Sequence, residues 1–161
     1  MRVRPAIVDD VPLIFALIQK KARFDRDIGA YGGTLAVTEE KLRKMLFGEY
    51  PFAYVIFAEQ CDRSIGFALY GFRFSSFVGQ PSIWLDDLYV DEDRRSEGAG
   101  VMLMRYLAQV TLSNDCTHLA WTADARNIRG LGFYARLGAT VTEQVGDRCL
   151  LKWEPTEAVF R

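Results

Sequence analysis

The sequence predicts a single α/β (α+β) domain spanning residues 1–161, built on a mixed sheet, and three observations lead there. The chain has 161 residues, near the commonest size for one domain with one core. Half of its residues are hydrophobic and only 25% are charged, so there is enough apolar surface to offset chain entropy and a disordered class is excluded. Runs of β-branched and aromatic residues alternate with amphipathic runs of helical period, and strand patterns both precede and follow single helices, which makes the sheet mixed.

The elements follow in order. Residues 3–6 are a short start ahead of the first helix. Asp9 or Asp10 is placed to cap a first helix with Pro12 in its opening turn and Leu13, Phe15, Ala16, Leu17 and Ile18 on its apolar side, running to about Arg26. Residues 27–34 hold three glycines and read as a connection. Thr38, followed by Glu39 and Glu40, opens a second helix that ends near Phe47 and Gly48. Residues 53–59 and 64–74 are expected to pair antiparallel about a turn at 60–63, and residues 82–90 to form the third central strand. A helical pattern then runs from Glu97 to about Leu112, with Val101, Met104, Leu107, Ala108 and Val110 on one face. Residues 118–122 form a strand, 127–137 a short helix stopped by Gly138, and 141–145 with 148–153 a closing hairpin around Gly146 and Asp147.

Composition narrows the chemistry. Lys and Arg number 20 against 21 Asp and Glu, a net charge of -1, so no bulk field draws the chain to nucleic acid or to an anionic membrane. No apolar run approaches the roughly 20 residues of a membrane span, and residues 1–5 do not open a signal peptide, so a cytoplasmic protein is expected. Cys61, Cys116 and Cys149 are far apart and odd in number, which argues against a disulfide framework. His118 is the only histidine; a His-based triad or multi-His metal site is hard to build, and no metal is expected.

One segment stands out. Arg94-Arg95-Ser96-Glu97-Gly98-Ala99-Gly100 lies between the strand ending at Val90 and a strongly amphipathic helix, and it contains R-x-x-G-x-G. The first N–H groups of a helix lack intrahelical partners and together carry about half a positive charge, so they suit a pyrophosphate. Glycines let an anion come close to the backbone, and Arg95 can add charge-assisted contacts. The same string also reads as a glycine-rich helix start with two solvated arginines.

The segment and its surroundings resemble the GNAT superfamily of N-acetyltransferases, whose pyrophosphate loop is Q/R-x-x-G-x-G/A. The string Trp84-Leu85-Asp86-Asp87-Leu88-Tyr89-Val90, the loop, Asn127, and Gly132-Phe133-Tyr134-Ala135-Arg136-Leu137-Gly138-Ala139 are similar to the diamine (spermidine/spermine) branch, as are Arg4-Pro5-Ala6 and Phe47-Gly48-Glu49-Tyr50-Pro51-Phe52. The resemblance spans nearly the whole chain. It implies the GNAT fold, a central, mostly antiparallel mixed sheet of about six or seven strands flanked by about four helices. It implies acetyl-CoA as cosubstrate, transfer of its acetyl group to a primary amine in a ternary complex, and a homodimer.

Roles carry over residue by residue. The resemblance implies a fourth strand that bulges and splays from the fifth, so that Leu88, Tyr89 and Val90 receive the pantetheine arm like an added strand. The pyrophosphate falls to Arg95, Ser96, Glu97, Gly98, Ala99, Gly100 and Val101, and Asn127 contacts CoA; an Asn there is also an ordinary helix cap. Ile128-Arg129-Gly130 departs from the branch, which has an acidic-proline pair. An alkylammonium must lose a proton before its nitrogen attacks a thioester. Asp86 aligns with the family's glutamate, a base acting directly or through water, or an anion holding the ammonium; Asp87 faces the other side of the strand and binds substrate. Tyr134 matches the tyrosine that protonates the departing thiolate, and Phe133, Tyr134 and Leu137 also make a core stripe. The acceptor is expected to be a small cationic amine, a polyamine or a lysine-like amino acid. A protein N-terminus, a drug amine, or a CoA-binding sensor without turnover stay open.

Overall fold

The computed structural model describes residues 1–160. Seven strands form one sheet in the order β1-β2-β3-β4-β5-β7-β6. They are β1 (Arg2–Pro5), β2 (Tyr54–Gln60), β3 (Arg63–Ser75), β4 (Gln80–Val90), β5 (Leu119–Asp124), β6 (Thr140–Val145) and β7 (Arg148–Trp153). The helices are α1 (Val11–Asp27), α2 (Glu39–Phe47), α3 (Ala99–Ser113) and α4 (Ile128–Arg136). Every neighbouring pair is antiparallel except β4 and β5, which run parallel because α3 carries the chain across between them.

The alternation along β2 divides the interior. Val55 and Phe57 point to a cluster with Val11, Ile14 and Leu17 of α1 and Leu42 and Leu46 of α2. Ile56 and Ala58 point the other way, to Leu103, Met104, Leu107 and Ala108 of α3. The sheet is therefore covered on both faces, and a residue's parity along a strand decides which layer it enters.

Local signals set the helix ends. Thr38 caps α2, its hydroxyl accepting from the Lys41 N–H at 3.2 Å. Asp10 does not cap α1 as the sequence suggests. A short 3-10 turn, Val8–Asp10, precedes α1, and the Asp10 carboxylate accepts from the Ile7 N–H at 2.8 Å and pairs with the Arg4 guanidinium. Helix α3 begins at Ala99, two residues later than its periodicity implies, because Gly98 is left-handed at φ +95° and closes the loop ahead of it. Arg2 and Arg4 hold Glu59, buried at the β1–β2 edge, and keep its carboxyl below the ordinary range against the opposing effect of burial.

Candidate active site

The site begins with a fault in β4. Leu69 pairs with Asp87 and Tyr70 with Leu85, so Asp86 is an extra residue, a bulge in the middle of the strand. The bulge reverses the side-chain parity. Ile83 and Leu85 ahead of it face the α3 layer, and beyond it Leu88 and Val90 face that layer while Tyr89 enters the α1 layer. Asp86 stands exposed at the bulge, and Asp87 turns toward α1.

Beyond the bulge β4 also loses a neighbour. It pairs with β5 only at Ile83 with Leu119 and Trp84 with Ala120, and the strands then splay. The Asp91 N–H donates to the Ile65 carbonyl, so by antiparallel alternation Tyr89 and Asp87 spend their backbone groups on β3. Leu88 and Val90 aim theirs at the gap. A polar chain laid there would add to β4 as a strand does. One of these groups is already taken, because Arg95 Nε donates to the Val90 carbonyl at 3.0 Å.

The gap opens into a cleft of about 750 Å³, lined by Leu88 to Val90, the loop from Arg94 to Val101 apart from Glu97, the start of α4, Phe133, Tyr134, and Phe24 of α1. The first bond of the α3 ladder runs from the Met102 N–H to the Gly98 carbonyl at 3.0 Å, and no side chain caps the helix. The N–H groups of Ala99, Gly100 and Val101 thus have no intrahelical acceptor and face the positive end of the helix dipole. A Cβ on Gly98 would meet nothing within 4 Å, so the approach to these donors is open; on Gly100 it would come within 3.2 Å of the Phe133 ring, which keeps α3 and α4 in close contact. This donor set fits a pyrophosphate, and the splayed strand fits an amide-bearing arm.

Arg95 differs from the sequence expectation of a free phosphate ligand. Besides its bond to Val90 it lies 3.4 Å from Glu92 and stacks over Phe24 at 4.6 Å, so much of its guanidinium braces the loop. Arg129 crosses the cleft from α4 to donate to the Ser96 hydroxyl at 3.0 Å, a contact invisible in sequence. Glu97 is exposed, within 4.0 Å of Arg94. Asn127 accepts from the Gly130 N–H at 2.9 Å, the cap its position suggests, and also lines the cleft. The C-terminal turn, Glu157–Phe160, supplies Ala158 and Val159 to the wall; no sequence signal pointed to them.

Tyr134 sits on α4 at the inner end of the cleft, only 9% exposed, with its ring 4.9 Å from that of Trp121. Its hydroxyl makes no hydrogen bond among the described residues. Burial, reinforced by Asp25 and Asp87, holds its phenol above the ordinary range, so it keeps its proton at neutral pH. On the α1 side Asp87 lies 3.9 Å from Lys21, which is paired one helical turn on with Asp25. Burial pushes the Asp87 carboxyl up to about 6; Lys21 pulls it down, and Asp86 and Asp25 push it up. No Lys or Arg lies within five residues of the two aspartates in sequence. Lys21 is their basic neighbour, brought by α1 from 66 positions upstream. The fold brings Tyr134, the loop and Asn127 to one cleft, with Asp87 close enough behind it to act on the Tyr134 phenol, and leaves Asp86 exposed.

Residues 25–139 match the acetyltransferase (GNAT) family model. The chain belongs to the GNAT acetyltransferase family. As a member it is an acetyl-CoA-dependent N-acetyltransferase. This acetyltransferase is 31% identical over 156 residues to a thialysine N-epsilon-acetyltransferase of Bos taurus, covering 91% of this chain and 89% of that one. It is 26% identical to spermidine/spermine N(1)-acetyltransferase-like protein 1 of Homo sapiens, over 86% of this chain and 20% of that one. Among solved structures it superposes on an aminoglycoside acetyltransferase from an uncultured soil metagenomic sample with a TM-score of 0.73 at 22% identity, over 89% of this chain and 91% of that one, a likeness of fold.

Proposed function

We propose that residues 1–161 act as one catalytic domain that acetylates a primary amine of a small cationic acceptor, a polyamine or a lysine-like amino acid. The observation that carries this is the cluster of Asp25, Asp86 and Asp87 behind the cleft, two of the three sunk beside a tyrosine that keeps its proton. The similarity to thialysine and spermidine/spermine acetyltransferases supports the same acceptor class.

Acetyl-CoA supplies an activated acetyl thioester. The N–H groups of Ala99 to Val101 hold its pyrophosphate, with Arg95 and Ser96 shaping the loop, and Leu88 and Val90 hold the arm in the gap. The acceptor's ammonium is drawn to the aspartates of the bulge. Asp87 takes its proton: a carboxyl pushed to about 6 is a stronger base than an ordinary one and is still ionised at neutral pH. Asp86 adds negative charge at the mouth and can relay the proton through water. Tyr134, protonated before the reaction, gives its proton to the departing sulfur as the C–S bond breaks, and the second proton shed by the nitrogen on forming the amide restores the phenol. Its raised pKa makes it a weaker acid than a free phenol, so transfer depends on the sulfur's developing charge rather than on an even match.

Release of free thiol from acetyl-CoA tests the reading over a panel of diamines, lysine-like amino acids, peptide N-termini and aminoglycosides. Small cationic primary amines should turn over fastest. Faster turnover of neutral or anionic acceptors overturns the acceptor class, and binding of CoA without thiol release over the whole panel favours a sensor.

Two further readings belong to the proposal. Phe74 is 72% exposed and Phe77 fully so at the far end of the β3–β4 hairpin, which supports a homodimer contact there; sedimentation of Phe74→Asp with Phe77→Asp should show the smaller species. The free state of all three cysteines supports a reducing, cytoplasmic compartment.

A further inference from the structure

Lys21 has no place in the chemistry described so far. It lies in the third turn of α1, and its side chain is only 21% exposed, unusual for a lysine on a helix that borders solvent. Its ammonium is hydrogen-bonded to Asp25 and lies 3.9 Å from Asp87 Oδ1, with those two carboxylates 25% and 21% exposed. Phe24, the residue before Asp25, lines the cleft. Tyr134, which lines it from the other side, feels the charge of both Asp25 and Asp87. A positive charge thus stands beside the two carboxylates nearest the reacting centre.

We propose that Lys21 is an acceptor-selecting residue: its ammonium occupies the Asp25 and Asp87 carboxylates as a built-in counter-ion, which a cationic acceptor must share or displace. The proposal rests on the acceptor reading given above. Two carboxylates and one ammonium leave one negative charge, with Asp86 adding another at the bulge. Without Lys21 the carboxylates would face each other uncompensated, and the arriving ammonium would be their only counter-ion. With it, the site is satisfied when empty, and an ammonium gains only the remaining field. Lys21 therefore weakens the hold on charged acceptors, and it also disfavours the charged form of an amine placed beside it, which helps that amine lose its proton. An uncharged amine feels neither effect.

The experiment measures the calorimetric Kd of cadaverine, a dication, and of an uncharged alkoxyamine of similar length on the CoA-loaded protein. A pH of about 8.5 keeps Asp87 ionised even when removal of Lys21 raises its pKa further. Lys21→Met, which keeps an unbranched stem and removes the charge, should tighten cadaverine binding about tenfold and move the alkoxyamine less than about twofold. Lys21→Arg should leave both within about twofold, and Lys21→Gln gives the same readout as methionine should that variant lose its fold. Cadaverine affinity unchanged or weakened by loss of the charge, or the two ligands shifting together, overturns the proposal and leaves Lys21 as a helix ion pair. Absence of thiol release with every amine sinks the acceptor reading, whereas a charge-dependent change in binding without turnover sustains Lys21 as a selector.

Discussion

The two ends of the cleft solve opposite electrostatic problems with different materials. At the end proposed for the phosphates the charge is supplied by backbone: three uncapped N–H groups of α3 behind a left-handed Gly98, with Arg95 turned inward to brace the loop. At the end proposed for the acceptor it is supplied by side chains, Asp25 and Asp87 held three-quarters buried around Lys21. Backbone donors fixed in a helix need no counter-charge when the site is empty, because water serves them. Buried carboxylates do need one, and the fold provides it from α1. The difference teaches where perturbation will be felt: changes at the first end should alter cosubstrate affinity, and changes at the second should alter pH dependence, rate and stability together.

The largest effect expected lies between the two ends. Tyr134→Phe removes only a hydroxyl and keeps the ring packed on Trp121. The rate constant for acetyl transfer should fall about 100-fold to 10,000-fold, with CoA Kd unchanged. A variant within about threefold of the wild-type rate, with chemistry shown to be limiting, would assign the proton to water. Gly98→Val attacks the phosphate end alone. A β-branched residue at φ +95° is strained, and its methyls would stand where nothing now lies within 4 Å; CoA affinity should drop at least about tenfold. Unchanged affinity in a folded variant would remove the loop from the pyrophosphate.

Asp87→Asn sharpens the acceptor end. The folded pKa of Asp87, about 6, is raised above its ordinary 3.8, so its contribution to stability is full below about pH 4 and is lost as pH rises through about 6. At neutral pH the ionised group therefore costs on the order of 3 kcal/mol, which asparagine should recover as a higher Tm. The same variant should lose the acid limb near pH 6 in kcat/KM, together with most of its activity. A lower Tm at neutral pH would show that the ion pair with Lys21 outweighs burial. The smallest effect expected is that of Asn127→Ala, which deletes the bond from Gly130 and should cost about 1 kcal/mol in thermal unfolding, with a modest change in CoA Kd.

The strand, glycine loop and helix within residues 84–113 were legible in the sequence because they are contiguous. Thr38, Asn127 and Gly138 likewise announced their caps through local chemistry. The acceptor end was legible only as two adjacent aspartates. Which of them turns inward depends on a bulge, and nothing in a string of side chains marks one extra residue in a ladder. Lys21 and Asp25 lie four residues apart on one helix, but their meeting with Asp87 is tertiary. The single available hint was Phe24, an aromatic beside an acid at the end of a helix whose apolar stripe had already been counted. The brace made by Arg95 was hidden for the converse reason, since sequence offers its charge and not the carbonyl of Val90 that engages it.

The bulge at Asp86 also constrains how this enzyme can change over evolutionary time. Point substitutions adjust the strand one side chain at a time, whereas taking Asp86 into the regular pleat would exchange the faces of every residue from Asp87 to Val90 at once. Leu88 and Val90 would be driven among the side chains of α1, and Asp87 into the apolar layer against α3. Deleting Asp86 keeps those faces, because Leu85 would then be followed directly by Asp87 on the α1 side, and removes only the exposed carboxylate and the local kink. The display of the last four residues thus survives loss of the extra residue but not its absorption into the ladder.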